Sequence, residues 1–183
     1  MILIRCGYKR FDMQPYIRSC ILAFAFCLFA SLLPAQSDVT AVSGAVSGKV
    51  QQVGFRAMIL KQAICHNLAG EARNLENGTV LFVLQGNTER IKEALKTIRK
   101  GTKKSSDVKI ELSPVNVDAN LTTFTVIGWT SSSRNISTPY DLVFRLRPSN
   151  TSVSKRDSKE IYHSILRATV SPEDLPKLDK GKR

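Results

Sequence analysis

The chain has 183 residues, which is room for one ordinary domain and an appendage rather than a multidomain array. Its 27 Lys and Arg against 15 Asp and Glu give a net charge of +12, which favours anionic partners without choosing among phosphate esters, nucleic acids and acidic membranes. With two histidines, four cysteines and no grouping of His, Cys and carboxylates at ligand spacing, the sequence predicts no metal site, and no Ser-His-Asp or Cys-His arrangement stands out.

Residues 1–37 read as a signal peptide. Arg5, Lys9, Arg10 and Arg18 precede the apolar run from Cys20 to Leu33, and Pro34-Ala35-Gln36-Ser37 supplies a small-x-small cleavage pattern. The 14-residue run falls short of the ~20 residues a spanning helix needs, so export and cleavage are expected, with a retained membrane anchor as the alternative. Met13 offers a more compact start for the same signal. Cleavage removes Cys6, Cys20 and Cys27, leaves Cys65 without a disulfide partner, and reduces the charge to 23 basic against 14 acidic residues, or +9. The exported chain is expected to act in the periplasm or outside the cell, with no stable membrane insertion.

Val42 to Val50 alternates apolar and small residues, as a strand packed closely on one face does. After Gly54 the spacing turns helical, with Phe55, Ile59, Leu60, Ala63 and Ile64 on one side. Leu68–Leu75 and Thr79–Gln85 are strand-like and flank Glu76-Asn77-Gly78, a hairpin signal. A second helix is capped by Asn87 or Thr88, buries Ile91, Ala94, Leu95 and Ile98, and stops at Gly101. Strands at Val108–Leu112 and Leu121–Trp129 follow. The order β-α-β-β-α-β plus an added edge predicts an α+β ferredoxin-like sandwich, an antiparallel sheet with two helices on one face. Beyond it, Asp141–Leu146 makes one more strand, Ser154 starts an amphipathic helix bearing Ile161, Tyr162, Ile165 and Leu166, and Ser171-Pro172-Glu173-Asp174 marks another helix start. The helix is expected to lie on the sheet's open face or on another helix. The chain thus divides into 1–37 (signal), 38–130 (main domain) and 131–183 (C-terminal extension with a basic tail).

The stretch Gly48-Lys49-Val50-Gln51-Gln52-Val53-Gly54-Phe55-Arg56 carries the chemistry. It is a strand end, a short loop and the first turn of a helix, where unpaired amides and the helix dipole favour an anion and an arginine can clamp it. This segment resembles the acylphosphatase signature G-x-V-Q-G-V-x-F-R, and eight of its nine positions agree. Gly70-Glu71-Ala72-Arg73-Asn74-Leu75-Glu76-Asn77-Gly78-Thr79-Val80 is similar to the stretch around that family's catalytic asparagine, with Asn74 in its place, and Gln85-Gly86 and Lys100-Gly101 also fit. The resemblance runs from about Val42 to Val126.

It implies hydrolysis of an acyl phosphate to a carboxylate and inorganic phosphate. Amides of Gln52, Val53, Gly54, Phe55 and Arg56 would cradle the phosphate, Arg56 would bind its oxygens and Asn74 would position water, with no metal or organic cofactor. The implied partners are the acyl phosphate and product phosphate, with no nucleic acid, in a monomeric protein. One position departs: Gln52 replaces a glycine, at about 1–2 kcal/mol if the backbone there is left-handed. That keeps an alternative open, a ferredoxin-like anion- or partner-binding module without turnover.

Other candidates are thin. Cys65, His66 and His163 read as structural, and Lys103 and Lys104, near Arg99 and Lys100, as a solvated patch that attracts anions. A nucleic-acid platform would need exposed strand aromatics interleaved with basic residues, and Phe82, Phe124 and Trp129 lack that pattern.

Overall fold

The computed structural model describes residues 38–149 and 151–179. The predicted signal peptide, with Cys6, Cys20 and Cys27, lies outside the described residues.

Six strands and four α-helices follow in order: β1 (Val39–Lys49), α1 (Phe55–His66), β2 (Ala69–Asn74), β3 (Val80–Asn87), α2 (Thr88–Lys100), β4 (Ser106–Val115), β5 (Thr123–Ser131), β6 (Ile136–Arg145), α3 (Lys155–Thr169) and α4 (Leu175–Asp179). They form one sheet in the order β4-β1-β3-β2-β5-β6. The first four strands are the predicted ferredoxin-like arrangement. The sheet is mixed, because β5 pairs parallel to β2 in the register Gly70↔Phe124 and Ala72↔Val126. Nor is β5 the added edge, since β6 pairs antiparallel beyond it.

Even-numbered residues of β1 to β4 face the helices. Phe82 lies across Gly44, where an added Cβ would fall 2.2 Å from the ring, so the small residues of β1 make room for an aromatic on the neighbouring strand. Val46, Ala72, Phe82, Leu84, Phe124 and Val126 meet Ile59, Ala63, Ile91 and Ile98 in a single core. The hairpin forms as expected, with Leu75 N donating to Thr79 O and Asn77 Oδ1 accepting from Thr79 N. Gln85 and Gly86 lie within β3, not after it. The Gln85 amide group clamps the backbone N–H and C=O of Asp118 on the connection between β4 and β5.

Residues after 131 join the same core instead of standing apart. Where a strand was expected only from Asp141, β6 already begins at Ile136. Pro139 obscures this in the sequence, yet an edge strand tolerates the missing N–H. Helix α3 lies on neither the open face nor a helix alone: it packs beside α1 and over β6, bringing Tyr162, Leu166 and Val170 into the core with Trp129. Its N-cap is Ser154, accepting from Asp157 N. The chain leading to it is tied to the end of α1. Asn67 exchanges two hydrogen bonds with the Arg147 backbone, Arg147 Nη2 donates to Ile64 O, and the Cys65 thiol donates to Val153 O. Burial raises the Cys65 pKa and lowers that of His66, so both are neutral packing groups near pH 7.

If the extension folds cooperatively with the rest, Leu166→Ala is expected to lower the unfolding free energy by about 2–4 kcal/mol, read from the urea midpoint. A loss well under about 1 kcal/mol would show that it unfolds separately.

Candidate active site

Between the end of β1 and the start of α1 the backbone turns sharply. The β1–β4 register shifts between Ser47 and Lys49, and the loop Gln51–Gly54 delivers the chain into α1. Gln52 adopts φ +58°, the left-handed conformation that a glycine would take without strain, so the departure from the signature costs about 1–2 kcal/mol but leaves the loop's path intact. Gln52 is exposed.

Gly54 is the N-cap of α1 and supplies no side-chain acceptor. The amides of Gln52, Val53, Gly54, Phe55 and Arg56 donate to no backbone carbonyl among the described residues, which leaves them available to an anion at the positive end of the helix dipole. Two braces hold the loop: Gln51 Nε2 donates to Leu75 O and Thr79 O, both at 2.8 Å, and Thr102 Oγ1 donates to Val53 O at 3.1 Å. The first ties the loop to the hairpin that begins beside Asn74.

Arg56 is held from behind. Its Nη1 donates to Ile127 O at 2.6 Å and Gly128 O at 2.9 Å. These carbonyls converge because β5 bulges against β6 between Val126 and Trp129, where Gly128 sits at φ +61° and its N–H is taken by Asp141 Oδ1. Partial burial lowers the guanidinium pKa, but from so high a starting value that the group stays charged. With Nη1 occupied, Nε and Nη2 remain for a ligand.

Asn74 ends β2 on the helix side of the sheet. Its Oδ1 is buried and has no hydrogen-bond partner among the described residues. An isolated buried acceptor costs about 1–3 kcal/mol, which a water bonded to it would relieve. Asn74, Arg56 and the whole loop Val50–Gly54 line one cleft of about 610 Å³, so the structure brings every predicted site residue together.

The sequence did not foretell the further wall of the cleft made of Trp129 to Arg134 and Tyr162. Its only local signal was an isolated glycine inside a strand pattern, Gly128, which suggests a bulge. Burial pushes the Tyr162 phenol up to about 12, so it lines the cleft uncharged. Lys104, read from sequence as part of a solvated patch, also reaches this cleft. Among the described residues no group of three His, Cys, Asp or Glu could hold a metal, and no helix is long and apolar enough to cross a membrane.

The acylphosphatase family profile matches residues 42–126. An acylphosphatase of Chlorobaculum tepidum is 39% identical over 82 residues, covering 45% of this chain and 89% of the relative. This chain belongs to the acylphosphatase family. Its acylphosphatase domain is also 44% identical over 68 residues to an acylphosphatase of Bacillus licheniformis, covering 36% of this chain and 76% of that one. Among solved structures, an acylphosphatase from Coxiella burnetii matches with 28% identity and a TM-score of 0.46, over 51% of this chain and 99% of that one. The family region ends before the bulge that holds Arg56, so part of this acylphosphatase site is built by chain outside it.

Because Gln52 is strained, Gln52→Gly is expected to raise the unfolding free energy by about 0.5–1 kcal/mol, after the greater freedom of glycine in the unfolded chain is subtracted. Thermal denaturation checks this, and a drop in stability would mean that the Gln52 side chain makes a compensating contact.

Proposed function

We infer that the protein is an acylphosphatase that hydrolyses an acyl phosphate to a carboxylate and inorganic phosphate. The observation that carries the mechanism is that Asn74, whose buried Oδ1 lacks a partner among the described residues, lines one cleft with the loop and Arg56.

In this reading the phosphoryl oxygens sit on the amides from Gln52 to Arg56 and on Nε and Nη2 of Arg56. Asn74 Oδ1 accepts a hydrogen bond from a water and aims its lone pair at phosphorus. The water oxygen forms a bond to phosphorus as the bond from phosphorus to the acyl oxygen breaks, and the carboxylate leaves with the electron pair. The water's proton passes to a phosphoryl oxygen. An amide is no base near neutral pH, so its contribution is position, while the amides and guanidinium stabilise charge on a loose transition state. A carboxylate leaves readily as an anion, so the mechanism needs no general acid.

The basic, apolar and small-residue order of residues 1–37 supports export to the periplasm or out of the cell. The left-handed Gln52 keeps the loop in a conformation that glycine favours, which phosphate binding requires in either reading.

Hydrolysis of benzoyl phosphate, with inorganic phosphate as competitor, tests the roles. Asn74→Ala is expected to lower kcat by about 10²–10³ while phosphate still competes, whereas Arg56→Ala loses both turnover and phosphate binding. Full activity in both variants would refute this site. Phosphate binding without turnover in the unaltered protein would establish the binding module instead.

A further inference from the structure

Once the loop amides, Arg56 and Asn74 are assigned to the phosphoryl group, the wall of the cleft from Trp129 to Arg134 remains for the acyl group. That wall comes from residues beyond the family region: the end of β5, the 3-10 turn Ser132–Arg134, and Tyr162 of α3. It is polar, with Ser131, Ser132 and Ser133 side by side, and it ends in Arg134. None of the residues lining the cleft is acidic.

Arg134 is placed for a ligand. Among the described residues its hydrogen-bond partners are neutral and distant: Nε donates to Leu178 O at 3.4 Å and Nη1 to Ser131 Oγ at 3.5 Å. No ion pair among the described residues neutralises it. Its surroundings are cationic as well. Lys61, which sits 4.5 Å over the Tyr162 ring, has its pKa lowered by burial first and then by Lys159 and Arg134. Lys104 adds a further positive charge to the cleft. Among the described residues three cations line this space, and the phosphoryl group at the loop engages Arg56 directly; Arg134, on the wall built outside the family region, has donors to spare.

We propose that Arg134, with the adjacent serine hydroxyls, recognises a second anionic group carried on the acyl part of the substrate, so that the enzyme selects acyl phosphates bearing a carboxylate over uncharged ones. This rests on the acylphosphatase reading. Arg134 takes no part in the bond changes, so its effect falls on selectivity.

The test compares kcat/KM for 4-carboxybenzoyl phosphate and 4-methylbenzoyl phosphate, whose para groups cannot attack the anhydride. The unaltered protein should prefer the carboxylate. Arg134→Gln should lower the preference on the order of tenfold, the effect of one charge-assisted hydrogen bond. Arg134→Lys should restore part of it, and Arg134→Glu should reverse it. An unchanged ratio, or an equal loss on both substrates, would overturn the proposal. If neither compound is hydrolysed, the acylphosphatase reading fails, and binding of 4-carboxybenzylphosphonate against 4-methylbenzylphosphonate still decides the role of Arg134. Equal affinities, or a preference indifferent to Arg134→Gln, would then overturn it.

Discussion

A guanidinium half withdrawn from water must find acceptors, and Arg56 finds them in the carbonyls of Ile127 and Gly128. Much of the site depends on that contact. It fixes the first turn of α1 against the bulge of β5 and leaves the two remaining edges of the guanidinium open to the cleft. It also makes the geometry of the phosphate loop depend on a strand that joins the sheet late in the chain. The bulge is in turn pinned by Asp141 of β6, so the edge strand contributes to the position of Arg56 through Gly128.

Loop and hairpin are coupled in a second way. The Gln51 amide spans the Leu75 and Thr79 carbonyls, so the anion cradle is tied directly to the strand end bearing Asn74. In-line attack requires water and phosphorus to be held in a fixed relation, and small displacements cost large factors in rate. The strain at Gln52 fits this picture. A non-glycine residue persists in a left-handed conformation only where its surroundings determine the backbone, and here the braces from Gln51 and Thr102 lie on either side.

The sequence made the cradle legible because its parts are consecutive: the strand end at Gly48, the loop and Arg56 lie within nine positions, and the helical spacing of apolar residues set α1 and α2. Asn74 was legible only through its resemblance to a known motif, since an asparagine before a hairpin ordinarily makes local backbone bonds. The further wall was hidden because it is a product of pairing. Nothing local to Gly128 shows that its carbonyl will face Arg56, some seventy residues earlier in sequence. Pro139 hid the first half of the strand that covers β5, and only the edge position makes it compatible. Nor could helical periodicity in α3 tell which surface its apolar side would meet, so the approach of Tyr162 to the cleft could not be foreseen.

The central claim is that a water seated on Asn74 attacks phosphorus while the loop and Arg56 hold the phosphoryl group. Enzyme-dependent hydrolysis of benzoyl phosphate in ¹⁸O-labelled water tests it most directly, by mass spectrometry of both products. The account predicts that the label enters inorganic phosphate and not benzoate. Label in benzoate would mean attack at the carbonyl carbon and would contradict the roles assigned to the loop, Arg56 and Asn74.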